Sequence, residues 1–349
     1  MSQALSDLTT QLQDGSVLDR DQVESAAASI LDESIEAGTK AEFLKALAAK
    51  GETPEEIAFF VDSFLARAVD PGLAADEVDG PMIDVCGTGG DKLDLFNVST
   101  TSIFVLAAGG ACVVKHGNRG ITSKSGGADV LEALGVRIDL PPEECAETIR
   151  RHGVGFMFAP IYHPAFKAVV PVRKQLAEEG MRTIFNILGP LLNPVRPAHQ
   201  LVGVFSKELT APFANILKQL GRTSAWAVHG TTADGRGMDE LSTLAETNVT
   251  ALGADGDITD IVINPADVGI AIPDIADLTG GDAEENARIL TAILDGTDRG
   301  PKRDIVCLNA AAGFVVAGLA ADLPAGLEAA SNAIDGGAAL EKLRSLQTG

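Results

Sequence analysis

The 349-residue chain predicts an α/β protein: a small helical N-terminal domain, then a larger α/β domain on a mainly parallel central sheet. Three observations predict it. Residues 1–70 show only helical spacing of apolar side chains, punctuated by helix-capping residues. From Pro81 the pattern changes to short apolar runs separated by amphipathic stretches, the pattern of a sheet covered on both faces by helices. The composition, 46% hydrophobic with 37 glycines, is that of a globular chain long enough to bury a substantial core.

Leu5, Leu8 and Leu12 share one helical face. Val23, Ala27, Ile30, Leu31 and Ile35 predict a second helix, stopped by Gly38. Thr39 with Glu42 has the spacing of a capping box ahead of Phe43, Leu44 and Leu47, and Gly51 closes that helix. Thr53-Pro54-Glu55-Glu56 combines a second capping box with proline at the first helical position, and Ile57, Phe60, Val61 and Phe64 follow. Pro71-Gly72 and the acidic run Asp76 to Asp79 read as a linker, so the helical domain spans 1–74 and the α/β domain 75–349. Strands are expected at Met82–Val85, Ala111–Val114, Val154–Phe158, Leu201–Phe205 and Ala225–Val228. Helices are expected from Asn97 onward and at Ser125–Leu134, Glu143–His152, Thr210–Leu220 and Ala283–Leu294; His163 to Ala177 reads as another, interrupted near Pro171.

A formal charge of −22, more than half of it within residues 1–80, argues against nucleic acid or an anionic membrane as partner. The four cysteines, Cys86, Cys112, Cys145 and Cys307, lack CxxC spacing and lie in apolar surroundings, as buried thiols of a reducing compartment would. Acids begin at Asp7 with no apolar core behind them, and no apolar run nears the ~18 residues of a membrane span. A cytoplasmic protein is the expectation.

Against this acidity one segment stands apart. Gly87-Thr-Gly-Gly-Asp-Lys-Leu-Asp94 follows a predicted strand and precedes a predicted helix. That places bare backbone N–H groups at a helix N-terminus, where loop amides and helix dipole both favour an anion. From Leu95 to Ala128 there is no Asp or Glu, although the chain carries 49, while Lys115, His116, Arg119 and Lys124 fall in the same window. The loop fits neither GxxxxGK[ST] nor GxGxxG, and alone it would be as well explained by a structural turn. The acid-free context, with Asn97-Val98-Ser99-Thr100 able to cap the helix or extend a cradle, favours a phosphorylated ligand.

Three further segments bear on chemistry. Lys115-His-Gly-Asn-Arg-Gly-Ile-Thr-Ser-Lys124 offers permanent cations and hydroxyl donors, lysine as a point charge and arginine as a fork; the bland alternative is a solvated loop. Gly237-Met-Asp239-Glu240 puts adjacent carboxylates after a strand, oxygen ligands suited to Mg²⁺, although such a pair is mostly just surface when nothing else points to phosphate. Phe156-Met-Phe-Ala-Pro-Ile-Tyr-His163-Pro leads without an acid to Arg173, an apolar wall and a guanidinium that would suit a planar carboxylate; a core strand and surface helix explain it equally well.

These segments, in this order, resemble the anthranilate phosphoribosyltransferase family. The matching stretches are Gly87-Thr-Gly-Gly-Asp91, Phe96-Asn-Val-Ser-Thr100, Lys115-His-Gly-Asn-Arg119, Ser123-Lys-Ser-Gly126, Ala128-Asp-Val-Leu-Glu-Ala-Leu-Gly135, His163-Pro, Pro171-Val-Arg173, Arg182-Thr-Ile-Phe-Asn-Ile-Leu-Gly-Pro190 and Gly237-Met-Asp-Glu-Leu241. The resemblance implies the nucleoside phosphorylase/phosphoribosyltransferase type of fold, with 163–190 contributing to the helical domain, and a homodimer through the helical part. It implies transfer of phosphoribose from 5-phosphoribosyl 1-pyrophosphate (PRPP) to the amine of anthranilate, a step of tryptophan biosynthesis. Carried onto this chain, Gly87, Gly90, Asp91, Asn97, Val98, Ser99, Thr100, Lys115, His116, Gly117, Asn118, Arg119 and Ser123 would hold PRPP. Gly87, Asn118, His163 and Arg173 would meet anthranilate, and Ser99, Asp239 and Glu240 would hold Mg²⁺. The chain departs from the family at Leu95 and Gly127, where hydroxyl residues are usual, and at Ala177-Glu178-Glu179, which reads as an insertion. A pyrimidine nucleoside phosphorylase, to which Lys92 lends some support, and a non-catalytic phosphate-binding paralogue are the alternatives.

Overall fold

A computed structural model describes residues 2–120 and 124–347. The chain opens with helices α1 (Ser2–Gln13), α2 (Arg20–Leu31), α3 (Ala37–Lys50) and α4 (Pro54–Leu65). Capping sets their entry points. Asp19 and Gln22 form a capping box on α2, and Thr53 and Glu56 form another on α4, with Pro54 in its first turn. The Glu56 carboxylate, fully buried, also accepts Leu18 N–H at 2.9 Å and pairs with Lys50 at 2.6 Å, tying three segments together.

The second helix does not reach Gly38. It ends at Leu31, because the Asp32 carboxylate accepts Ser34 N–H at 2.8 Å and offers the backbone a turn in place of another helical bond. Helix α3 then begins at Ala37, so Gly38 and Thr39 lie inside its first turn; Glu36 stands at the cap without a side-chain bond, and no Thr39 capping box forms.

After the linker come β1 (Met82–Gly87), α5 (Val98–Ala108), β2 (Cys112–Gly117), α6 (Gly127–Ala133), α7 (Pro142–His152), β3 (Val154–Phe158), α8 (Ala159–Tyr162) and α9 (Val170–Glu178). Then follow β4 (His199–Gly203), α10 (Thr210–Gln219), β5 (Ser224–Thr231), β6 (Gly237–Met238), β7 (Thr247–Leu252) and β8 (Ile258–Ile263). The chain closes with α11 (Ala283–Leu294), α12 (Pro301–Val316), α13 (Leu323–Asp335) and α14 (Ala338–Gln347). Pro171 starts α9 rather than interrupting it: the preceding Pro164–Val169 is a 3₁₀ segment, and proline in a first turn gives up no internal hydrogen bond.

The sheet runs β3-β2-β1-β4-β5-β7-β8, with β6 beside β5. Strands β1 to β5 pair in parallel, and β6, β7 and β8 add antiparallel strands at one side. One face packs on α5, α6 and the C-terminal helices; the other packs on α10, α9 and the N-terminal helices. The winding reverses at β1, from which the chain builds outward to β3 and then returns to β4. A crevice at the carboxyl ends of strands flanking such a reversal is where ligands bind in open α/β sheets.

Candidate functional site

Strands β1, β2 and β4 end side by side in Gly87, Gly117 and Gly203, with Gly87 in register with Gly203. The glycine loop leaves β1 there. Thr88 N–H donates to Gly203 O at 2.9 Å, and Gly89 and Gly90 take left-handed φ of 70° and 88°, which their lack of a side chain permits. Lys92 and Asp94 are also left-handed, at φ of 59° and 53°, and Lys124 pairs with Asp94 at 3.0 Å.

The paired acids lie directly over this loop. Asp239 Oδ2 accepts Gly89 N–H at 2.6 Å, and Glu240 Oε1 accepts Ser99 N–H at 3.2 Å at the start of α5. Lys115, nearly fully buried, donates from Nζ to Val85 O at 2.5 Å and to Ser99 Oγ at 3.3 Å. Three glycines make the approach possible: a Cβ at Gly87 or Gly203 would overlap Asp239, and one at Gly230 would overlap Glu240 O. Burial pushes both carboxyls above the usual carboxylate range; for Glu240 the neighbouring Asp239 charge adds to the rise, and for Asp239 the nearby Asp91 does, while Lys115 acts in the opposite sense on Glu240.

The arrangement suits a divalent cation. Two half-buried carboxylates that repel one another, with the Ser99 hydroxyl beside them, are oxygen donors short of positive charge. Among the described residues no three acid, histidine or cysteine side chains form a ready-made metal cage. That fits Mg²⁺, which is held by one or two carboxylates, water and substrate phosphate rather than by an all-protein shell.

Asn97 stands at the α5 N-cap with its amide oriented from both sides: Oδ1 accepts from Asn286 at 2.9 Å, and Nδ2 donates to Ser125 O at 3.1 Å. Val98 and Thr100 are buried in the first turn, and Gly127 lies against Thr100, where a Cβ would come within 3.0 Å of its Oγ1. A serine in place of Gly127 would therefore crowd Thr100. Leu95, half-buried, bridges to Thr279 and packs on the core, an apolar use of its position. Asn118 is exposed beyond β2, its Oδ1 accepting Arg119 N–H at 2.8 Å. Arg119 is not a free fork: its guanidinium pairs with Glu132 at 2.7 Å and Asp129 at 3.1 Å. Ser123 lies outside the described residues.

From His116, next to Lys115 on β2, an aromatic path leads to Arg173. The His116 and His163 rings meet edge-on at 5.2 Å, His163 lies 5.3 Å from Phe166, Phe166 is 5.9 Å from Phe185, and Arg173 sits 5.5 Å over Phe185. His163, Phe166 and Phe185 thus form a wall between His116 and a half-buried guanidinium. Among the described residues Arg173 has no carboxylate partner, and desolvation lowers its pKa. Burial, then the neighbouring His163, lower the His116 pKa to about 3; its Nε2 is buried without a partner among the described residues. His163 Nε2 shares a hydrogen with Leu192 O at 2.8 Å.

Phe166 and Phe185 carry the middle of this path and were missing from the sequence reading. Phe185 lies within a matched stretch, yet nothing in spacing alone separates it from a core residue. The supports Gly203, Gly230 and Asn286 also escaped, since each acts through a contact more than a hundred residues away in sequence or across a strand end.

Comparison with known proteins follows the same lines. Residues 79–340 match the glycosyl transferase family a/b domain, and residues 6–68 its helical bundle domain. The anthranilate phosphoribosyltransferase of Desulfatibacillum aliphaticivorans is 44% identical, over 98% of this chain and 97% of its own. That of Methanosarcina acetivorans is 45% identical over 96% of this chain and 87% of its own. Among solved structures, the anthranilate phosphoribosyltransferase of Thermus thermophilus superposes with a TM-score of 0.89 at 37% identity, covering 98% of each chain. The Saccharomyces cerevisiae enzyme, solved in complex with PRPP and Mg, gives 0.84 at 26% identity over 99% of this chain and 97% of its own. Likeness of this extent, in sequence and in three dimensions, means that the chain belongs to the anthranilate phosphoribosyltransferase family.

Proposed function

We propose that this chain transfers the phosphoribosyl group of PRPP to the amine of anthranilate with release of pyrophosphate, in tryptophan biosynthesis, at the crevice where β1, β2 and β4 end. The observation that carries the reading is the convergence of Gly89, Ser99, Lys115, Asp239 and Glu240 on one another. Asp239, Glu240 and Ser99 Oγ hold Mg²⁺, which when bound neutralises the pyrophosphate oxygens. The glycine loop from Gly87 to Asp91, Asn97 to Thr100, and Lys115 to Asn118 with Ser123 seat PRPP. Arg173 pairs with the anthranilate carboxylate, and the ring lies along Phe166, His163 and His116 between Arg173, Asn118 and Gly87.

An aryl amine is neutral at pH 7 and attacks without prior deprotonation. The harder task is stabilising the charge that gathers on departing pyrophosphate, which the loop amides and Lys115 do from preorganised positions. A histidine with a pKa near 3 accepts protons poorly at neutral pH, so His116 packs against the ring and does not serve as a strong base. Residues 1–74 with 163–190 form a unit that closes on the α/β part and aligns amine with anomeric carbon. The chain works as a cytoplasmic homodimer.

Anthranilate fluorescence should fall when the protein is mixed with PRPP and Mg²⁺. Asp239→Ala and Glu240→Ala should each slow turnover by about 10²–10³-fold, the usual scale for losing a preorganised electrostatic contact. Cleavage of thymidine with phosphate, and no reaction of anthranilate, would defeat the reading.

A further inference from the structure

We propose that Asn309, on α12 and outside every motif of the phosphate site, is the positioning residue that sets the backbone of the Asp239–Glu240 pair. The inference rests on the reading of those two acids as metal ligands. Asn309 is fully buried, and its side-chain amide pairs with the backbone of Leu241 in both directions. Oδ1 accepts Leu241 N–H at 2.9 Å, and Nδ2 donates to Leu241 O at 3.0 Å. The same Nδ2 donates to Ile305 O at 2.9 Å one turn back, which fixes the amide's orientation so that its nitrogen meets the Leu241 carbonyl and its oxygen the Leu241 N–H.

Only a side-chain amide of this length meets that requirement. A carboxylate has no donor for the carbonyl, and a hydroxyl has neither the reach nor both functions. Leu241 directly follows Glu240 and is itself buried, so clamping its peptide fixes the Glu240 Cα. On the other side of the segment Gly203 and Gly230 lie against the backbone carbonyls of Asp239 and Glu240. The acids are thus held between two close-packed glycines and one amide. Helix α12 also packs on α5, where Gly313 lets Leu106 approach and Phe314 occupies the space over Gly109. Since α5 presents Ser99 and α12 presents Asn309, the packed helix pair connects the two halves of the metal site, with Asn309 as the link to the acids.

Losing the clamp leaves a buried N–H and C=O without partners and frees the acid pair to shift. Groups that orient metal ligands typically alter metal affinity 10–100-fold when removed, so a loss of about 10-fold is expected. The test uses the full chain with Asn309→Ala and Asn309→Ser, the serine hydroxyl keeping a partner in Ile305 O should the alanine variant fail to fold. Mn²⁺ is titrated by electron paramagnetic resonance with PRPP present, and the melting midpoint is taken without either. Weaker Mn²⁺ binding by about 10-fold, a matching rise in the Mg²⁺ needed for half-maximal rate, and an unchanged KM for anthranilate would support the assignment. A lowered melting midpoint with unaltered Mn²⁺ binding would overturn it, leaving Asn309 a core residue only. Asp239→Ala and Glu240→Ala are run alongside. Their failure to weaken Mn²⁺ would overturn the metal reading itself and this assignment with it, whereas weakening in them but not in the Asn309 variants would overturn only the latter.

Discussion

Arg173 is half-buried, has no acidic partner among the described residues, and faces an aromatic wall. A guanidinium held in that state costs solvation and is balanced when a carboxylate arrives. Arg173→Ala should raise the KM for anthranilate by roughly 10–100-fold, the scale of one charged hydrogen bond, with the KM for PRPP little changed. Steady-state kinetics with each substrate varied would check it, and a shift confined to PRPP would count against the assignment. At His116 the native pKa falls below the unfolded value, so the neutral ring is the favoured form. Its contribution to stability is therefore present above pH ~6.5 and lost as pH falls from there toward 3, at up to about 1.4 kcal/mol per pH unit. His116→Gln should flatten the acid side of a urea-midpoint profile between pH 6.5 and 4 relative to the unsubstituted protein; an identical slope in both would refute this. At this scale the sequence identified the charges well and their partners poorly. Lys115 and Arg119 read alike in sequence, yet Lys115 turns inward to Ser99 while Arg119 is spent on Asp129 and Glu132. The side chain's surroundings, not its type, made the difference.

Elements were legible where their signals are local. The α4 capping box and the span Ala283–Leu294 follow from residues three or four apart, and both stand in the structure. The Asp32 turn was missed because an aspartate bonding its own backbone competes with a helix that the apolar spacing alone would continue. Strands β7 and β8 and helices α12 to α14 were also missed, their patterning being less regular than that of the loop-flanked strands. Residues 177–179, read in the sequence as a lengthened turn, instead end α9: Glu179 caps that helix and pairs with Lys45 of α3 at 2.9 Å, fastening the helix behind Arg173 to the N-terminal bundle. Strand ends decide the site more sharply than loops do. Gly203 closes β4 against the Asp239 carbonyl, with backbone where a side chain would have to go. Gly203→Ala should displace the acid pair and cut turnover at least about 10-fold. Its melting midpoint, read beside the rate, separates that displacement from unfolding; near-normal kcat in a folded variant would show that the segment can move without harm.

At the scale of the whole molecule, the strand order brings residues 87–99, 115 and 239–240 together at one end of the sheet. Sedimentation at micromolar concentration should find two chains per particle; a single chain at that concentration would remove the proposed pairing. No helix among the described residues is long and apolar enough to cross a membrane, in keeping with the absence of long apolar runs. The sequence by itself determined the α/β class, the parallel strands β1 to β5 in outline, the anion-favouring loop and the candidate acids. Each of these is written in short-range pattern: periodicity, glycine at a strand end, a lapse in acidity. Only the tertiary structure decided that β1 and β4 are neighbours, that Asp239 reaches Gly89, that Arg119 is engaged elsewhere, and that Asn309 holds Leu241. Those facts depend on strand order and on close approach between segments distant in the chain, and no local rule encodes either.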